Sequence, residues 1–205
     1  GYRQPIYGFY CANSDNLKDA TFNSENRKFL FIGRLIEQKG VRILVEAYKK
    51  YRENVSNPWE LCIAGKGALE NLFHNQEGIF LKSFVQPNQL SDLFSESSCF
   101  VLPSLHENWG LVIHEAALAG LPIISSNNCG ASTWFLRDGQ NGCMIDTTVD
   151  SLTKAFISMH NKNILELKTM SDNSKILGKL WRLEDWANYL HGKFNEAIQN
   201  KKTSL

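Results

Sequence analysis

Residues 29–40 read Phe-Leu-Phe-Ile-Gly-Arg-Leu-Ile-Glu-Gln-Lys-Gly, and an amphipathic helical pattern follows from Val41 to Glu53. The run Phe29–Gly33 is almost wholly apolar and ends on glycine, as expected of a strand covered on both faces. A polar turn bounded by glycines then leads into a helix. Outward from this unit the same alternation recurs. Strands are expected at Leu61–Gly65, Ile79–Phe84, Cys99–Pro103, Pro122–Ser126 and Gly142–Asp146. Helices are expected at Ala68–Asn75, Gln89–Glu96, Leu111–Ala119, Ser132–Arg137 and Ser151–His160. Strands alternating with helices through short connections imply an α/β fold, a Rossmann-like doubly wound parallel sheet of six strands with right-handed crossovers.

The flanks read differently. Residues 1–26 have aromatics at Tyr7, Phe9 and Tyr10 but no period, so they are expected to be a linker into a ligand-binding domain at 27–162. Residues 163–205 are more polar and lack a strand, which suggests a helical extension. Within it Trp186, Tyr189, Leu190, Phe194 and Ile198 fall at helical spacing. The ordinary reading of such a stripe is packing on its own domain, and the alternative is a surface that another domain covers.

Composition narrows the function. The chain has 205 residues, 43% hydrophobic and 21% charged, which is ordinary for a globular domain. Its net charge of +1 carries no footprint for nucleic acid, so no nucleic-acid partner is expected. Cys11, Cys62, Cys99, Cys129 and Cys143 are scattered without a C-x-x-C pair, which argues against a disulfide framework or zinc site and for a reducing compartment. No signal peptide opens the chain and no run is long enough to span a bilayer. The chain opens at Gly1 rather than Met and is expected to be a piece of a longer protein.

In an open doubly wound sheet, ligands bind beyond the carboxyl ends of the strands where the strand order reverses. With the common order 3-2-1-4-5-6, that point lies between the first and fourth strands. The loops leaving them are Gly33–Gly40 and Pro103–Gly110, both rich in polar residues and glycine. Arg34 and Lys39 are suited to clamp a polyanion, and Gly110 lets a phosphate approach the free N–H groups that open the next helix. Glu115 lies about one and a half turns into that helix, where a carboxylate can accept from paired ribose hydroxyls. Glu107 precedes the helix and is expected to meet a different part of the ligand, and His106 beside it either lines the pocket or packs on Trp109. These residues imply a phosphate-linked nucleotide carrying a further hydroxyl-rich group.

Other signatures are missing. The stretch Gly65-Lys66-Gly67-Ala68-Leu69-Glu70 has Glu70 where a dinucleotide fingerprint needs its third glycine, so it reads as a tight turn. There is no G-x-S-x-G elbow, no P-loop and no H-E-x-x-H pair, and the five histidines lack metal spacing.

Several of these segments resemble the group 1 (family 4) glycosyltransferases of GT-B fold. Gly33-Arg34-Leu35 with Lys39-Gly40 resembles that family's G-R-L-x-x-x-K-G signature. Pro103-Ser104-Leu105-His106-Glu107 through Glu115-Ala116-Ala117 to Gly120-Leu121-Pro122 is similar to its P-S-x-x-E segment and E-x(7)-E pair. Asp138-Gly139-Gln140-Asn141-Gly142 matches its D-G-x-N-G turn. The resemblance covers residues 27 to 146. It implies the carboxyl-terminal half of a two-domain enzyme that moves a sugar from a nucleotide-diphosphate sugar to an acceptor hydroxyl with retention, in surface polysaccharide or glycoconjugate synthesis. By the same resemblance Arg34 and Lys39 meet the diphosphate with the N–H groups near Gly110 and Leu111. Glu115 holds the ribose, Glu107 the donor sugar, and Phe84 and Val85 border the base; Gly33 and His106 belong to the donor site. No cofactor or metal is implied. The partners implied are a nucleotide sugar, an N-terminal acceptor domain of the same protein, and a sugar or lipid-linked acceptor. The implied location is cytoplasmic, compatible with peripheral attachment at the inner membrane surface.

Two stretches depart from the family pattern, Glu107-Asn108-Trp109-Gly110 and Cys129-Gly130-Ala131-Ser132-Thr133-Trp134, and both bear on the donor sugar. The rival readings are an epimerase or phosphorylase of the same architecture and a non-catalytic nucleotide-binding module. The first would need proton-transfer groups or a pyridoxal lysine, which the sequence does not place. The second is disfavoured by the presence of Glu107 and Glu115 beside Arg34 and Lys39.

Overall fold

The computed structural model describes residues 10–17, 19–83 and 85–202. Six strands form one all-parallel sheet: β1 (Lys28–Ile32), β2 (Glu60–Ala64), β3 (Ile79–Lys82), β4 (Cys99–Leu102), β5 (Ile123–Ser126) and β6 (Gly142–Ile145). Their spatial order is β3-β2-β1-β4-β5-β6, as expected, with β1 flanked by β2 and β4. Each strand lies within one or two residues of its expected place. Phe84, expected to end the third strand, falls outside the described residues, as do Tyr7 and Phe9.

Among the described residues, seven α-helices cover the sheet or extend from it: α1 (Val41–Asn54), α2 (Leu90–Ser95), α3 (Leu111–Ala119), α4 (Ser132–Phe135), α5 (Val149–His160), α6 (Ile164–Gly178) and α7 (Leu183–Lys202). On one face α1 packs against α5. There Phe29 of β1 meets Phe156 at 4.6 Å, Trp59 at 4.9 Å and Tyr51 at 5.5 Å between ring centroids. Tyr51 and Tyr48 keep their hydroxyls satisfied inside this cluster. Tyr51 Oη accepts from the Trp59 N–H at 2.7 Å, and Tyr48 Oη donates to the Trp59 carbonyl at 2.8 Å. Burial drives the Tyr51 phenol well above its usual range.

The expected helix at Ala68–Asn75 is instead a single 3-10 turn, Glu70–Phe73. The competing partner is the loop after β1. Leu69 N–H donates to the Leu35 carbonyl at 3.0 Å rather than to Gly65, four residues back in its own segment. A Cβ on Gly67 would sit 2.3 Å from the same oxygen, so the backbones are pressed together. With that N–H spent, the segment closes only i→i−3 bonds such as Glu70 N–H to the Gly67 carbonyl.

α6 opens with a capping box, in which Asn163 Oδ1 accepts from the Glu166 N–H and Glu166 Oε2 accepts from the Asn163 N–H, both at 2.9 Å. It lies against α3 so closely that a Cβ on Gly178 would be 2.7 Å from the Leu118 nitrogen. α7 follows its ordinary reading over its first half and departs from it beyond. Trp186, Tyr189 and Leu190 are half-buried, and Tyr189 meets Trp181 at 6.3 Å. Farther along, Phe194 and Ile198 are 66% and 54% exposed. A helix of 20 residues is about 30 Å long, and only its first half finds apolar surface on this domain. No helix among the described residues is long and apolar enough to cross a membrane.

Candidate functional site

The loops leaving β1 and β4 lie side by side and are interlocked. Leu105 N–H donates to the Gln38 carbonyl at 2.9 Å. Gly40 has φ +67° and comes so close to the second loop that a Cβ would stand 2.0 Å from the Pro103 carbonyl oxygen. A side chain there fails on both counts, which explains the glycine. Across this seam Lys39 Nζ donates to Glu107 Oε2 in an ion pair whose side chains are only 14% and 18% exposed. Gly33 lines the same place, with the Lys39 Cε 4.0 Å from where its Cβ would be.

Beyond Glu107 the chain turns through Gly110 at φ +87° into α3. The Gly110 carbonyl takes the Ile113 N–H, and no side chain caps the helix start. The first turn thus leaves the Leu111 and Val112 N–H groups and the positive dipole end available to an anion beside the Lys39–Glu107 pair. Glu115 is half-buried on α3, and desolvation raises its pKa. No ion pair joins its carboxylate to a cation among the described residues, and burial is the cause of the shift.

Of the residues singled out from sequence, Lys39 and Glu107 are in direct contact, with Gly33 and Gly110 against them. Arg34 and His106 are exposed, and Leu111 is exposed at the helix start. Val85 is half-buried on the β3 side, where it lines a hollow with Lys82, Gln89 and Asp92. No hydrogen bond or ion pair links Arg34, His106, Val85 or Glu115 to the Lys39–Glu107 pair among the described residues. Phe84 lies outside them. His106 is exposed, and its backbone N–H makes a long bond to the Gln38 carbonyl at 3.5 Å. A hollow lined by Leu17, Leu118, Lys175 and Trp181 contains none of these residues. Among the described residues, no group of three or more His, Cys, Asp or Glu is arranged to hold a metal.

The sequence did not reveal the wall behind Glu107. The loop after β5 is zipped onto the Glu107 loop: Glu107 N–H donates to the Asn128 carbonyl (3.1 Å), Gly130 N–H to the Glu107 carbonyl (3.1 Å) and Ala131 N–H to the Trp109 carbonyl (2.7 Å). The signal for this was Gly130, whose Cβ would lie 2.3 Å from the Asn108 carbonyl oxygen. Cys129, beneath the turn, donates its thiol to the Trp109 carbonyl at 3.0 Å, and burial pushes its pKa up.

An all-parallel sheet in this order, with charged loops and an open helix start at its reversal point, defines a Rossmann-like ligand-binding domain. The profile of the group 1 glycosyl transferases matches residues 13–176, and the chain belongs to that family. A UDP-Gal:alpha-D-GlcNAc-diphosphoundecaprenol alpha-1,3-galactosyltransferase of Escherichia coli is 30% identical over 175 residues, which are 80% of this chain and 45% of that protein. An uncharacterized glycosyltransferase of Haemophilus influenzae is 28% identical over 185 residues, 84% of this chain and 51% of that one. The chain thus spans about half the length of these relatives. Among solved structures, a pneumococcal O-GlcNAc transferase in complex with UDP and GlcNAc superposes with a TM-score of 0.73 at 22% identity, over 89% of this chain and 38% of that one. A glycosyltransferase from Rickettsia africae gives 0.75 at 16% identity, over 93% and 56%. The fold is that of the GT-B glycosyltransferases.

Proposed function

We propose that this chain is the donor-binding, carboxyl-terminal half of a retaining glycosyltransferase that moves a sugar from a nucleotide-diphosphate sugar to an acceptor hydroxyl without a metal ion. The observation that carries the reading is the Lys39–Glu107 pair, which spans the two switch-point loops beside the uncapped start of α3. In the free protein the two charges neutralise each other. A donor replaces that contact with two better ones: its diphosphate takes Lys39, and hydroxyls of its sugar donate to Glu107.

Cleavage of the sugar–phosphate bond sends an electron pair to the leaving diphosphate. Arg34, Lys39 and the α3 N–H groups stabilise that charge from fixed positions, the role a divalent ion fills in other transferases. The sugar becomes oxocarbenium-like, and the acceptor hydroxyl attacks from the face the diphosphate leaves and passes its proton to an oxygen of that diphosphate, which retains configuration. Glu115 anchors the ribose. Glu107 holds the sugar and is not assigned as a covalent nucleophile. The acceptor belongs to the other half of the protein, and the lipid-linked acceptor named for the E. coli relative supports a role in surface polysaccharide or glycoconjugate synthesis at the cytoplasmic face of the membrane.

The test is a panel of nucleotide sugars assayed for transfer by the full-length protein, with chelator and with magnesium. Glu107→Ala should abolish transfer while nearly sparing nucleoside diphosphate binding, and Glu115→Ala should weaken both. Strict dependence on magnesium, or equal losses of both ligands in both variants, would contradict the assignment.

A further inference from the structure

His114 sits within the helix of the candidate site and takes no part in the chemistry above, yet it is fully buried and both ring nitrogens are engaged. Nδ1 accepts the backbone N–H of Ala12 at 3.0 Å. A nitrogen that accepts is unprotonated, so in the neutral ring the proton is on Nε2. Nε2 lies 2.9 Å from the Gly178 carbonyl, which can only accept, and the two contacts together fix the tautomer. An added proton would set two N–H groups against each other at Ala12. Burial lowers the pKa and so favours the neutral ring.

These two bonds reach segments 102 and 64 residues away in sequence. One is the lead-in to the sheet and the other is the end of α6. The same two segments also touch each other, through the Cys11 thiol and the Trp181 carbonyl at 3.5 Å. The His114 face stacks on Phe135, with centroids 4.0 Å apart and planes 3° from parallel. Phe135 in turn meets Trp109 edge-on at 6.3 Å and 86°. Trp109 is two residues from Glu107, and its carbonyl is bonded to Cys129 and Ala131. Glu115 follows His114 directly on α3.

We infer that His114 is a positioning residue that fixes both carboxylates of the site, Glu115 through the α3 backbone and Glu107 through Phe135 and Trp109, relative to the lead-in segment and the end of α6. The inference rests on the donor-site reading for its kinetic consequence, but not for its structural one. A physical contact chain of this kind transmits displacement because buried side chains are close-packed. Displacing a reacting group by about 1 Å can cost about a hundredfold in rate.

The test uses the full-length protein and four variants. His114→Phe keeps a ring for the stack and loses both hydrogen bonds. His114→Asn offers an amide oxygen near the place of Nδ1, and His114→Gln an amide N–H near that of Nε2. Ser174→Ala removes two different buried contacts of α6, the hydroxyl bond to the Leu121 carbonyl at 2.7 Å and the one it accepts from Asn141 Nδ2 at 3.0 Å, and serves as the stability control. Well below every Tm, His114→Phe should lower kcat/KM for the nucleotide sugar about tenfold or more. Asn or Gln should recover part of it, and Ser174→Ala should lower Tm with KM unchanged. Hydrogen exchange on the same proteins needs no substrate: peptides covering 105–112 should exchange faster in His114→Phe and not in Ser174→Ala. Unchanged exchange at 105–112 together with unchanged kcat and KM in His114→Phe would overturn the inference. If no nucleotide sugar is turned over by the wild type, the donor-site reading falls, and the exchange comparison alone decides the role of His114.

Discussion

Replacing Gly110 by alanine should damage this domain in a way that Cys129 accounts for in part. The Gly110 backbone lies at φ +87°, a conformation that costs a residue with a Cβ about 1–2 kcal/mol. The new methyl would also meet Cys129 Sγ at 2.6 Å and Glu107 Cγ at 3.1 Å. Forcing a methyl into a filled site costs about 1–3 kcal/mol. Together the two effects should destabilise Gly110→Ala by about 2–5 kcal/mol. The steric part depends mainly on one sulfur, whereas the backbone part does not. Cys129→Ala in the Gly110→Ala background should therefore recover about 1–2 kcal/mol relative to the sum of the single effects. Urea unfolding of wild type, both single variants and the double variant gives this coupling directly. Additivity within about 0.5 kcal/mol would refute the reasoning, since it would mean the sulfur does not meet the added methyl.

Three further outcomes follow from the same geometry. Gly40→Ala, at φ +67° and facing the Pro103 carbonyl, should cost at least about 2 kcal/mol in chemical denaturation and weaken nucleoside diphosphate binding by prying the two loops apart. Lys39→Met leaves the Glu107 carboxylate mostly buried without its cation and should cost about 1–3 kcal/mol, part of which Glu107→Gln in the same chain restores; no recovery would mean the pair does not hold the seam. Glu115 has a pKa raised by burial, so nucleotide affinity should begin to fall on acidification at a higher pH than an ordinary carboxylate would dictate. The sign for stability is opposite: because the folded-state pKa lies above the unfolded one, protonation favours the folded free protein, and Glu115→Gln should flatten the affinity profile measured by calorimetry.

The sheet was legible because its four inner strands, β2, β1, β4 and β5, are buried along nearly their whole length and stand out as apolar runs; the edge strand β3, with Phe80 49% exposed, is apolar in sequence but not buried on both faces. The switch-point loops were legible because polar and glycine residues cluster where a βα turn needs few of them. α6 was dim for a physical reason. Its contact face carries Ser171, Ser174 and Gly178 beside Leu167 and Met170, since it approaches α3 too closely for large side chains, and the apolar period fades. The turn at Glu70–Phe73 was misjudged because its backbone bonds go to another loop, a partner no local pattern reveals. The same holds for the Asn128–Ala131 wall behind Glu107 and for the role of His114, whose partners lie far away in sequence. The stripe on α7 was visible as a stripe, but which surface it meets does not follow from periodicity.

The most direct test of the central claim is backbone amide exchange with and without a uridine or guanosine diphosphate, in chelator. The account predicts slowed exchange in the Gly33–Gly40 loop and at Gly110–Val112, and no change at Asp138–Asn141 at the other end of the sheet. Protection confined to any other part of the chain, or none at a saturating concentration of either nucleotide, would contradict a donor site at the junction of β1 and β4.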